Sequence, residues 1–176
     1  MRFAYYDRLS RASKEIYRKS DGIEAIGLPR GLELGAAVRG IEDALRADDR
    51  ASVQRECKTL IDALTSGYHV PEVGLRVLAR RPADGSGELH GLYEPTEKRS
   101  QARITVWMRT AQRVQVVAFR TFLRTLIHEL CHHLDYELFL LEETFHTEGF
   151  YKRESSLVSA LLAQRQAADA ASAGPG

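Results

Sequence analysis

Apolar residues recur along this chain with two different periods, and the changes between them divide it into elements. From Phe3 to about Lys19, residues Tyr5, Tyr6, Leu9, Ala12, Ile16 and Tyr17 fall on one side of a helix that Asp21-Gly22 ends. The segment to Gly31, which holds Leu28-Pro29, reads as a loop. A long helical stretch follows from Leu32 to Ser66, broken near Asp48-Asp49-Arg50, where either aspartate can cap a second helix. That second helix carries Val53, Cys57, Leu60, Ile61 and Leu64 on its apolar face and ends at Gly67, ahead of Pro71.

After Pro71 the period falls to two. Val73 to Ala79 reads as a strand with Val73, Leu75, Val77 and Ala79 on one side, and Leu89 to Tyr93 as a second, across the turn Pro82–Gly87. Beyond the polar stretch Pro95–Gln101, a third strand sets Ile104, Val106 and Met108 against Thr105, Trp107 and Arg109. Helical spacing returns from Val116 to Leu138, a run without Pro or Gly. There Phe119, Phe122, Leu123, Leu126, Ile127, Leu130, Leu134 and Leu138 form one stripe, while Thr121, Thr125, His128, His132 and Asp135 form another on a different face. A last helix is expected from about Thr147 to Gln166, and the Ala-rich tail 167–176 is expected to be frayed or disordered. The order predicts a single α+β domain over residues 1–166. Residues 1–70 form its helical N-terminal part. Residues 71–166 hold a small three-stranded, mostly antiparallel sheet and two helices.

Composition changes this picture little. The chain has 176 residues, enough for one core, with 44% hydrophobic and 28% charged residues and a formal net charge of +1. That balance gives no support for general affinity to nucleic acid. Charge is nevertheless uneven: basic residues outnumber acidic ones from Arg76 to Arg124, whereas Thr125 to Tyr151 has no Lys or Arg but six acids, Glu129, Asp135, Glu137, Glu142, Glu143 and Glu148. A carboxylate-rich neighbourhood suits a cation, and also suits a solvated acidic face. The two cysteines, Cys57 and Cys131, are too few for a disulfide framework, and both are expected to be reduced. The N-terminus lacks the apolar core of a signal peptide, and no apolar run approaches the ~20 residues of a membrane span. The expectation is a soluble, cytoplasmic protein with no membrane partner; its oligomeric state is left open.

The chemistry lies on the second stripe of the Val116–Leu138 helix. His128-Glu129-x-x-His132 places two imidazoles four residues apart, on one face and about a turn from each other. So placed, each can point a nitrogen at one zinc ion, which takes such ligands at ~2.0–2.1 Å. Glu129 then lies close enough to act as general base on a water that the metal activates. Cys131, turned about 60° from the His128 direction, reads as a buried apolar cysteine.

A zinc catalyst needs a third protein ligand. Asp135 sits ~10 Å along the axis from His128, which suits an outer role in fixing a ligand's tautomer better than ligation. Glu142, Glu143 and Glu154 follow the helix and remain candidates. His146 is the best placed: it precedes Thr147, a good cap residue, where a helical hairpin returns the chain beside the motif helix, with Phe150 and Leu157 anchoring the last helix. His133, rotated ~100° from His132, is expected to be exposed, and His69 and His90 lie in a turn and a strand without partner spacing.

His128-Glu-Leu-Cys-His132 followed by His146-Thr-Glu-Gly-Phe150-Tyr-Lys-Arg153 resembles the SprT-like zinc metallopeptidases, in which a third histidine opens a second helix in a His-Gly-x-x-Phe sequence. Thr147 replaces the usual glycine, and the resemblance runs from roughly Val73 to Arg153. It implies a zincin-like core, Zn²⁺ on His128, His132 and His146, Glu129 as catalytic base and a polypeptide substrate. The helical N-terminal part and the lack of a Cys-rich zinc ribbon depart from the family and leave open its DNA-associated roles. Tyr151 or Arg153 is a candidate oxyanion donor, the edge of the Ile104–Met108 strand a candidate site for substrate added as a strand, and Trp107 a candidate cleft residue. The alternative is a catalytically silent module that binds metal, protein or nucleic acid on the same fold. A deformylase-like hydrolase lacks the cysteine-bearing strand motif it would need.

Overall fold

The structure, a computed structural model, describes residues 3–84, 87–97 and 100–172. A short 3-10 turn, Tyr6–Arg8, precedes helix α1 (Arg11–Asp21). The predicted helix from Phe3 is thus divided, because the Ser10 hydroxyl accepts from the Ser13 amide and starts α1 there. The long helical stretch is α2 (Gly35–Arg46) and α3 (Arg50–Gly67). Its break is built by the aspartates at the expected place. Asp48 takes a left-handed conformation (φ 55°) and closes α2, with the Asp48 and Asp49 amides bonded to the carbonyls of Leu45 and Ala44. The Asp49 carboxylate then caps α3 through the amides of Ala51 and Ser52. His69 (φ 57°) closes α3 in the same way. It is a turn residue.

Strands β1 (Gly74–Arg80), β4 (Gly91–Glu94) and β5 (Arg103–Arg109) make the main sheet, in the order β1-β5-β4, and β2 (Ala83–Asp84) pairs with β3 (Gly87–Glu88) as a separate ribbon. β4 runs antiparallel to β5, with Gly91 opposite Val106, but β1 runs parallel to it, with Val77 opposite Val106. The sheet is therefore mixed, not mostly antiparallel. Alternation along a strand specifies which residues share a face but not which neighbour it takes or in which direction. As the central strand, β5 buries residues on both faces: Ile104, Val106 and Met108 on one, Thr105 and Trp107 on the other.

Helix α4 (Phe119–Glu137) lies against β4 and β5, and α5 (Glu148–Ser172) packs on α2, α4 and α1. One apolar core joins α2 to α5 with the sheet, through residues such as Ile41, Leu60, Val77, Ile104, Leu126 and Leu157. A smaller cluster of Tyr6, Ile16, Tyr17, Leu141 and Phe145 fastens the N-terminal segment to the α4–α5 connection. Residues 167–172, expected in a frayed tail, continue α5, with Arg39 paired to Asp169 at 2.8 Å; residues 173–176 lie outside the described residues. No helix among the described residues is long and apolar enough to cross a membrane.

Candidate metal centre

His128 and His132 project from α4 as the i, i+4 spacing requires, and the connection returns so that His146, just before α5, meets them. The Nε2 atoms of His128 and His146 are 3.0 Å apart, and those of His146 and His132 are 3.1 Å apart. Ligands of a tetrahedral zinc at ~2.05 Å stand about 3.3 Å from one another, so these spacings suit one ion. Among the described residues, these three histidines are the group able to hold a metal.

The far side of each α4 imidazole shows how the lone pairs are aimed. Nδ1 of His128 lies 2.8 Å from Glu154 Oε2, an acceptor. Nδ1 of His132 lies 2.8 Å from Thr144 Oγ1, and Thr144 donates its one hydroxyl proton to Asp135 Oδ2 at 2.8 Å. Thr144 must therefore accept from His132. Both imidazoles carry the proton on Nδ1 and leave Nε2 bare toward the shared point, the arrangement seen when carboxylates orient metal-binding histidines. Burial and the neighbouring imidazoles push the His132 pKa down to about 3, and burial lowers that of His146, which keeps these rings in their neutral, ligating form. Donor chemistry, spacing and tautomer all fit a bound metal ion.

Compared with family models, curated proteins and solved structures, the chain finds no match.

Glu129 is 6% exposed and points into the same cleft, a cavity of about 750 Å³ between α4, the α4–α5 connection and the 89–95 segment. Burial first, with the nearby Glu154 carboxylate adding to it, pushes its pKa up to about 7, although His128 works the other way. A carboxyl near neutrality is suited to taking and returning a proton. Tyr151 stands on the rim, stacked on the His146 ring at 5.8 Å, and burial raises its phenol pKa, so it remains an O–H donor.

Other candidates fall elsewhere. Arg153 is no oxyanion donor: it is 1% exposed and turned from the cleft, bonded to Asp135 Oδ1 at 2.6 Å and to the carbonyls of Ser20 and Ile23. Asp135 is fully buried and reaches His132 only through Thr144. Glu154 stands behind His128 and does not join the Nε2 atoms, while Glu142 and Glu143 are exposed in the connection. His133, expected in solvent, is buried between the Tyr93 hydroxyl (3.1 Å) and the Pro71 carbonyl (2.9 Å), because β4 covers that side of α4. Cys131 is buried, as its position suggested. Trp107 is buried in the sheet and does not line the cleft. His90 does line it.

The strand edge beside the site is also not the expected one. β5 is central, with both edges paired. The outer edge of β1 is closed by Gln54, which bonds Val77 N at 2.7 Å and Leu75 O at 3.1 Å, and by Arg50 on Val77 O. The outer edge of β4 borders the cleft and, among the described residues, has no strand partner. Neither Thr144 nor the place of β4 at the sheet edge beside the cleft follows from the sequence pattern, although the strand itself does. Thr144 carries no local signal, but Gly91 within a strand pattern is a known mark of close backbone approach.

Proposed function

We propose that the chain is a zinc-dependent peptidase of the SprT-like kind, acting on polypeptide in the reduced, intracellular setting that its buried thiols suit. The observation that carries this reading is the convergence of the His128, His132 and His146 Nε2 atoms in a cleft that also holds Glu129. Zinc bound there supplies Lewis acidity to a carbonyl and acidifies water. Glu129 takes the proton of the attacking water and returns it to the leaving amine, a role its place in the same cleft supports. An extended peptide pairs with the open edge of β4, which holds the scissile bond beside Glu129. Tyr151 donates to the developing oxyanion from the rim. Glu154 and the Thr144–Asp135 pair keep the two α4 imidazoles in register.

Chelation tests the reading. Treatment with a strong chelator is expected to abolish hydrolysis of casein or a quenched peptide, and stoichiometric zinc to restore it. Hydrolysis that survives removal of all bound metal contradicts the proposal.

A further inference from the structure

Gly91 is the one residue of β4 whose missing side chain is occupied by the site. A Cβ built there would lie 2.8 Å from both Cγ and Cδ of Glu129 and closer still to its Oε1. Real Cβ atoms do not approach carbon so nearly, since contacts settle at about 3.5–4.0 Å. The backbone does not demand glycine: among the described residues Gly31 is the glycine with positive φ, and Gly91 lies in a regular antiparallel register opposite Val106. The requirement is space alone, and Glu129 fills it.

We infer that Gly91 is a positioning residue: by carrying no side chain, it lets the Glu129 carboxyl lie against the β4 backbone beside the converging histidines. This rests on the peptidase reading, in which Glu129 is the base, and adds how the base is placed. The obstructed atoms run from Cγ to Oε1 of a side chain and include no backbone, so a methyl group at 91 is expected to turn the glutamate away rather than move the sheet. The carboxyl must retreat by about 1 Å to regain ordinary contact, and a misplacement of that size costs on the order of 100-fold in rate. The imidazoles are fixed from behind by Glu154 on α5 and by Thr144 and Asp135, and the His132 ring stacks on Tyr93 of β4 at 6.2 Å, two residues along from Gly91, so the metal site is expected to stay intact.

The test is Gly91→Ala in the full chain loaded with zinc. Crystal structures of wild type and variant are expected to show the Glu129 carboxyl displaced and the three Nε2 atoms unmoved; a carboxyl in its original place overturns the inference whatever the activity. On a quenched peptide, kcat is expected to fall at least tenfold with KM and zinc affinity within twofold. Glu129→Asp shortens the side chain, so adding Gly91→Ala to it is expected to cost much less than in the wild type. An equal loss in both backgrounds, or loss of zinc, also overturns the inference. Glu129→Gln keeps the two claims apart: unchanged turnover there refutes the peptidase reading, and the carboxyl position still judges Gly91.

Discussion

His132 owes its tautomer to Thr144, and Thr144 is held by a carboxylate that is itself held by Arg153. This chain of contacts is buried at its inner end, where Asp135 and Arg153 are 0% and 1% exposed. Removing one member of such a pair leaves a lone buried charge and costs about 3–5 kcal/mol, so Arg153 is a structural residue. Thr144 gives a gentler handle. Thr144→Val keeps the shape but offers His132 no acceptor and Asp135 no donor. Zinc affinity, read by competition with a chromophoric chelator, is expected to fall about 10–100-fold. An affinity equal to wild type would show that the hydroxyl does not orient the ring. The motif residues were legible because two histidines and a glutamate at fixed helical spacing have few other uses. Thr144 was not, since nothing in a threonine between Glu143 and Phe145 tells where its hydroxyl points.

At the scale of elements, the α4–α5 connection is the part on which the third histidine depends, and it is fastened by the N-terminal segment. The Tyr5 hydroxyl donates to the His146 carbonyl at 2.8 Å, the Phe3 ring meets Tyr151 at 6.0 Å, and the Asp21 carboxylate accepts from the Gly149 amide at 3.0 Å. Tyr17 and Tyr6 pack with Leu141 and Phe145 beneath it. Tyr5→Phe removes one hydrogen bond and keeps the ring. Its worth, near 1 kcal/mol, corresponds to a loss of about 2–10-fold in zinc affinity with little change in thermal stability. Unchanged affinity would mean that the segment covers the site without supporting it. Helix positions were readable because burial imposes a local period, and the Asp48-Asp49 break and the Thr147 start followed from capping chemistry. The parallel pairing of β1 with β5 and the burial of His133 were not readable. Both depend on which distant element lies alongside, and no local pattern carries that.

Taken whole, the molecule uses one core to hold the motif helix against a mixed sheet, closes one sheet edge with Gln54 and leaves the other beside a metal-competent cleft. Much of its basic character is tied up in this framework. Arg109 pairs with Asp48 at 2.6 Å, Arg124 with Glu154 at 2.7 Å, and Arg80 bonds the Ala111 carbonyl. We propose that this arrangement serves turnover and not metal storage. Glu129→Gln tests it most directly, because it keeps the side chain's shape and removes only its capacity as a base. Full zinc occupancy is expected in the variant, with a loss of peptide hydrolysis of at least about 100-fold. Hydrolysis at the wild-type rate with zinc bound would contradict the proposal.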